Sequence, residues 1–489
     1  MCTPYGRRYY GHVAFTAYDG KERQSVMENS EKTKLFESTP IPRAVAVLAI
    51  PTVLSSLVMV IYNLADTYFV GMLNDAVQNS AVTLAAPVLL AFNAVNNLFG
   101  VGASSMMSRA LGRKDEETVR ASSSFGFWCA LICGIIFSLG YVAFESPLLK
   151  LLGADYLTET ATAEYLFWTT TCGATPAILN VVLAYLVRAE GSSLHASIGT
   201  MSGCLLNIIL DPVFIMPWGL GMGAAGAGLA TFISNCFACL YFFVLLRARR
   251  GKTFVSVDPR RLRMCRNITG GVFAVGVPAA IQNLLNVTGM TVLNNFTSVN
   301  GPDAVAAMGI VQKINMVPLY VALGISQGIM PLVSYNYASG NIRRMKQTVS
   351  FTMRVSLMFI VMITVCYYFG AGFLTSLFMD NDAVVDCGEK LLRGLCLALP
   401  FVCIDFIAVG VFQACGMGTR SLIFAILRKI VLEIPALFIL NRLFPLYGLA
   451  YAQPVAEVVL AVAAVITLAS IFRRISSPQQ ANEPPESSI

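Results

Sequence analysis

Apolar residues in this chain come in long runs, each separated from the next by a short polar segment. Twelve such runs can be traced, over 44–72, 81–107, 122–145, 161–187, 194–216, 222–246, 269–297, 304–332, 347–369, 390–414, 421–443 and 449–472. A helix needs about 20 residues to cross the hydrocarbon of a bilayer, and each run supplies roughly that. The pattern predicts an all-α integral membrane protein with about twelve transmembrane helices.

The polar segments are lopsided in charge. Lys and Arg gather in the N-terminal tail, in "SRALGRKDEETVR" after the second run, in "RARRGKTFVSVDPRRLRMCR" after the sixth, in "NIRRMK" after the eighth, and at Arg473 and Arg474. The alternate connections hold almost none, apart from Lys150 and Arg442. Basic residues in short loops stay on the cytoplasmic side, so both termini are expected to be cytoplasmic and the number of spans even.

Composition agrees: 56% of the 489 residues are hydrophobic, 12% are charged and the mean hydropathy is +0.67, outside the range of an ordinary soluble domain. The spans leave no room for an extramembrane catalytic domain. The net charge of +7 reports topology, and no nucleic-acid partner is expected. The first 24 residues hold no apolar run of signal-peptide length. Thirteen cysteines lie scattered through the runs, and the one CxxC, Cys236 to Cys239, sits in an apolar helix without histidine partners, which reads as packing. With only His12 and His195 present, and no Ser-His-Asp set, Walker lysine loop or HExxH, neither an enzyme nor a resident metal or cofactor is indicated.

The two halves echo each other. "AIPTVLSSLVMVIYN" from Ala49 is answered by "GVPAAIQNLLNVTGM" from Gly276, with Pro51 matching Pro278, and "RAEGSS" from Arg188 by "QACGMGTRS" from Gln413. This repeat predicts a cytoplasmic tail over 1–42, a six-helix lobe over 43–246, a basic cytoplasmic linker over 247–268, a second six-helix lobe over 269–474 and a disordered cytoplasmic tail over 475–489. Six is even, so both lobes take the same orientation, related by a pseudo-two-fold axis along the membrane normal. That is a transporter architecture, with a site between two rocking bundles.

"IPTVLSSLVMVIYNLADTYFVGML", "ALGRKDEETVRAS", "RAEGSSLHASIGTMSGCLLNIILDPVFI" and "GAAGAGLATFIS" together resemble the multidrug and toxic compound extrusion (MATE) family, nearest its MepA-like bacterial branch. The resemblance spans about Thr39 to Arg474. It implies a twelve-helix antiporter of a bacterial inner membrane that expels organic cations and drugs in exchange for protons or sodium, here expected to be monomeric. A lipid-linked-precursor flippase of the same superfamily is the alternative. It would usually carry a cationic central cavity and extra helices.

One residue asks for a chemical reason: Asp66, deep in the first run. A charge near the middle of a span costs roughly 2.5–3.5 kcal/mol on insertion scales, so it needs a partner or a purpose. Asn63 lies three residues earlier on the same helical face; a second acid, Asp211, has Asn207 one turn before it. Counting from each helix start puts Asp66, Asp211 and Thr231 at similar depth in the outer half of the first lobe. Such a cluster offers hard oxygen ligands suited to sodium, or carboxylates suited to proton exchange. The resemblance implies the same positions: Asp66, Asn207, Asp211 and Thr231 match the family's N-lobe coupling-ion site, and Pro51 its kink-prone proline, a candidate hinge.

The second lobe carries Lys313, Asp405, Glu433 and Glu457 in apolar surroundings, with Gln282, Asn283, Asn286, Asn294 and Asn295 along the seventh helix. Lys313 and Glu457 both fall in the outer half, where a neutralising pair is one arrangement; Asp405 lies nearer the cytoplasmic end and could attract a cation. Asp405, Glu457, Lys313, Met290 and Gln282 are candidates for a substrate chamber. Met290, Met308, Met316 and Met330 could form a soft wall for aromatic cations, and core packing would explain them equally. The intramembrane acids outnumber Lys313, so the expected substrates are lipophilic organic cations.

The sequence from Met27 reads as a short charged leader into the first helix, and residues 1–26 are expected to be a start-site artefact or disordered. Deleting them should leave expression and transport unchanged, as measured by efflux of a fluorescent cation from cells.

Overall fold

The computed structural model describes residues 33–262, 264–379 and 381–476. Residues 1–26 and all but the first two residues of the expected 475–489 tail lie outside these. Among the described residues, twelve long helical segments follow one another and there is no strand: α1 (Ile41–Met72), α2 (Ala76–Gly112), α3 (Glu116–Leu152), α4 (Glu159–Cys172 and Ala174–Ala189), α5 (Ser193–Ile215), α6 (Gly223–Ala248), α7 (Arg266–Ser298), α8 (Pro302–Ala338), α9 (Ile342–Phe369), α10 (Asp382–Cys396 and Leu399–Ala414), α11 (Gly418–Ile426, Leu427–Glu433 and Ile434–Leu443) and α12 (Tyr447–Ser476). Nine of them are single helices long and apolar enough to span a bilayer, and α4 and α10 reach that length as pairs bent by 50° and 43°. α11 carries Arg428, Lys429, Glu433 and Arg442, and its middle third, Leu427–Glu433, is a π-helical turn.

Each bend has a proline behind it. Pro176 has no N–H for the Cys172 carbonyl, where α4 turns after its π-helical stretch Phe167–Cys172. Pro400 does the same to Cys396 in α10, and Pro147 follows the kink at Phe144 (φ −125°, ψ 28°) in α3. By contrast α1 runs through Pro51 as one continuous helix.

One side of the bundle, where α1 begins and α12 ends, carries the basic connections after α2, α6 and α8; we call it the basic side. There the two lobes meet backbone to backbone. A Cβ on Gly328 of α8 would lie 2.7 Å from Ala49 Cα of α1, one on Gly324 would lie 2.9 Å from Val53 Cα, and one on Gly102 of α2 would lie 2.5 Å from the Val272 carbonyl of α7. Only glycine permits such approach.

The segment before α1 locks over this contact. Phe36, fully buried, stacks on Tyr335 of α8 with ring centroids 4.9 Å apart. The Tyr335 hydroxyl donates to Glu37 at 2.7 Å, and the Arg344 guanidinium of α9 donates to the Phe36 carbonyl at 2.6 Å and the Leu35 carbonyl at 3.3 Å. Gly191, at φ +87° in the turn between α4 and α5, leaves the room the Phe36 ring fills.

The inter-lobe linker is also docked. Its residues 253–256 are buried: Glu190 accepts from the Thr253 hydroxyl at 2.9 Å and the Phe254 N–H at 2.8 Å, while Trp128 Nε1 of α3 donates to the Val257 carbonyl at 3.1 Å. What reads as a charged loop is in part a strip of the first lobe.

The glycine contact makes a direct prediction. Gly328→Val should lower stability by about 1–3 kcal/mol, because the intruding carbons meet helix backbone that cannot yield. Gly309→Val on the same helix, where a Cβ meets nothing within 4 Å, should do far less. Thermal unfolding of the two purified variants compares them.

Candidate functional site

Four helices of the first lobe converge on the two aspartates. Along α5, Asn207 and Asp211 are one turn apart and both buried, at 2% and 0% exposure. With the Asn207 amide oriented so that both ends are satisfied, its Nδ2 donates to Asp211 Oδ2 at 2.9 Å and its Oδ1 accepts from the Thr231 N–H of α6 at 3.1 Å. Asp66 projects from α1, half-buried, close enough to Asp211 for the two charges to interact. Asp66, Asn207, Asp211 and Thr231 thus come together as the spacing predicts. Asn63 is half-buried on α1, and its carbonyl accepts the Thr67 hydroxyl at 2.8 Å.

Two residues the sequence reading passed over complete this cluster. Tyr62, one turn before Asp66, neighbours both Asp66 and Thr231, and buried Tyr165, beside the bend of α4, neighbours both aspartates. Tyr62 was legible as the residue four before Asp66. Tyr165 was not, since only the bend of α4 brings it in. Among the described residues the result is two carboxylates with an amide, a threonine and two phenols about them and no cation ion-paired to either: a site that can hold a proton or a small hard cation.

The second lobe is built the opposite way. Asp405 of α10 and Glu457 of α12 are buried, and both face Arg428 of α11: its Nε donates to Glu457 at 2.6 Å, and its Nη1 lies 3.6 Å from Asp405. The guanidinium also sits 5.0 Å from the Phe406 ring centroid. One residue on, Lys429 donates to both Glu433 oxygens at 2.7 Å, a pair seated against Gly289 of α7.

This corrects several expectations. Glu457 does not pair with Lys313, which is half-buried on α8; Arg428 is its partner. The cation that Asp405 attracts is the protein's own. The lobe's acids are matched by Arg428 and Lys429, so counting them against Lys313 alone overstated the free negative charge. Of the five chamber candidates Asp405 and Glu457 share Arg428, while Gln282 accepts from Gln413 at 3.3 Å and Met290 is 48% exposed, so among the described residues no hydrogen bond or ion pair joins these two or Lys313 to that pair. Met308 and Met330 are core residues.

With the geometry in hand, the comparisons decide the family. The MatE family model matches residues 51–213 and again 278–439, once in each half. The chain belongs to the MatE family. Among its MatE relatives, the multidrug export protein MepA of Staphylococcus aureus (strain MRSA252) is 32% identical over 448 residues, covering 91% of this chain and 97% of the relative. MepA of Staphylococcus haemolyticus (strain JCSC1435) is 33% identical over 451 residues, with the same coverage. Two solved structures share the fold. One is the outward-facing conformation of a multidrug resistance MATE family transporter of the MOP superfamily (TM-score 0.86, 24% identity, 91% of this chain and 98% of that one). The other is a MOP superfamily transporter from Pyrococcus furiosus (TM-score 0.85, 24% identity, 91% and 99%). This MatE chain is therefore a multi-pass membrane transporter and not an enzyme.

Removing the guanidinium of Arg428 would leave two buried carboxylates without their counter-ion. Arg428→Gln should cost about 3–5 kcal/mol, and adding Glu457→Gln should recover part of the loss. Thermal unfolding of the detergent-purified single and double variants measures both.

Proposed function

We propose that this MatE protein is a secondary active multidrug exporter of lipophilic organic cations, driven by protons or sodium moving the other way. It works in a bacterial inner membrane with both termini inside. The observation that carries this reading is that Asp66 and Asp211 feel one another's charge in a cluster of neutral groups, Asn207, Thr231 and the two tyrosines, with no cation ion-paired to either among the described residues. Two interacting carboxylates in a site largely withdrawn from water favour taking up a proton or a small cation over standing fully charged.

The names of the MepA relatives support drug export, and the closed contact on the basic side supports an arrangement open to the outside. In this reading, occupancy at the aspartates biases how the lobes lean, with Pro51 as the point where α1 can bend. An ion shifts that balance only by binding one arrangement more tightly, and a few kcal/mol suffices.

Asp66→Asn and Asp211→Asn each keep the size and remove the charge. In reconstituted vesicles, each should bind a fluorescent organic cation nearly as well as the parent while gradient-driven export collapses to background. The double variant should be little worse than either single one, as for residues acting as a unit. Sodium and proton gradients imposed separately identify the ion. Parental export by both single variants would overturn the assignment.

A further inference from the structure

Arg188, in the last turn of α4, is buried at 7% exposure, and its Nε has no hydrogen-bond partner. An arginine at a membrane helix end ordinarily reaches out to the headgroups or in to an acid. Arg188 does neither among the described residues. Its guanidinium carbon lies 5.6 Å from the centroid of the Tyr185 ring, and the acid two positions on, Glu190, is taken up by Thr253 and Phe254 of the linker. We propose that this uncompensated charge bars protons and sodium from slipping through the closed junction between the lobes. The proposal rests on the cation-coupled reading, which a leak past the aspartates would defeat.

Tyr185 marks that junction. Its hydroxyl accepts from Gln327 of α8 at 3.1 Å, and Gln327 stands between Gly324 and Gly328, which meet α1 backbone to backbone. Arg188 follows one turn further toward the basic side, beneath the contact. Tyr165 of the acid cluster lies roughly 30 Å back along α4, so the guanidinium is no counter-ion to Asp66 or Asp211.

The repeat separates the charge from the packing. Gln413 holds the matching position in the second lobe, neutral and bonded, its Nε2 donating to Gln282 at 3.3 Å and to Ser421 at 3.2 Å. Folding at this position therefore needs no cation. Water satisfies N–H groups without cancelling charge, and the carbonyl end of α4 supplies only about half a unit of negative charge. At an effective dielectric of about 20, a unit charge about 8 Å away lowers the occupancy of a second cation roughly 30-fold, half a unit roughly sixfold, and in water even the full unit only about twofold. The bar is thus strong while the junction is shut and weak once water enters, which leaves the open basic side passable to a cationic substrate.

The test uses the full chain in vesicles without drug, following proton entry with a trapped pH-sensitive dye and sodium entry with a radiotracer. The parent should leak little more than protein-free vesicles. Arg188→Gln and Arg188→Met should each raise cation entry roughly 6- to 30-fold while chloride entry stays parental. Arg188→Lys should remain tight, and Arg250→Gln, which removes an exposed charge elsewhere on the basic side, should change nothing. Tight vesicles with both neutral variants, a leaky Arg188→Lys, or chloride entry rising as much as cation entry would overturn the proposal, the last because a merely loosened junction passes any ion. Loss of folding in both neutral variants, read by thermal unfolding, would make the charge structural and overturn it too. The leak is passive and needs no drug, so export by the Asp66→Asn and Asp211→Asn variants judges the ion-coupled reading separately.

Discussion

Hydrocarbon offers a polar group nothing to bond with, and this chain is arranged around that fact. Its backbone closes on itself in helices, and its hydroxyls turn back on the same helix, as Thr52 does to the Leu48 carbonyl at 2.9 Å and Thr364 to Ile360 at 2.8 Å. The charges that remain are met in two ways. In the second lobe Arg428 and Lys429 neutralise the buried acids, which fixes α10, α11 and α12 against each other. In the first lobe the acids meet only neutral oxygen and amide groups. Related in sequence, the halves differ in whether the described residues build in a counter-ion for the buried acids.

Much of the fold was legible because hydropathy and bilayer thickness leave few choices. All twelve runs correspond to helical segments of the structure. The acid cluster was legible too, because Asn207 and Asp211 share a helix face, and Asp66 and Thr231, on helices that enter from opposite sides, fall at similar membrane depth. What escaped was of two kinds. Bends in α3, α4 and α10 depend on which carbonyl a proline leaves unbonded, and an apolar run hides that; Tyr165 reaches the site only through such a bend. Arg428 and Lys429 escaped because two adjacent cations inside an otherwise apolar run were absorbed into it, and Lys313 was then left as the one cation to weigh against the acids of that lobe. A charge count within each run, rather than between runs, would have exposed them.

The contact between lobes rests on glycines and on a few long-range bonds at one end. Ser105 of α2 donates to the Gln413 carbonyl at 2.6 Å, and Gln327 of α8 to the Tyr185 hydroxyl at 3.1 Å. Both lie in the same half of the molecule as Gly102, Gly324 and Gly328. Close backbone approach gives a surface with two discrete fits rather than a soft one, because carbon tightly packed against carbon either meets or parts.

Phe36 and Glu37 stand at the very beginning of the described chain, yet the groups they need, Tyr335 and Arg344, are made some 300 residues later. Until α8 and α9 have emerged from the ribosome and entered the membrane, the Phe36 ring lacks the Tyr335 ring on which it stacks. A segment synthesised ahead of every span is thus among the last to find its place, and the high sequence separation of that contact makes its closure a late and slow event in assembly.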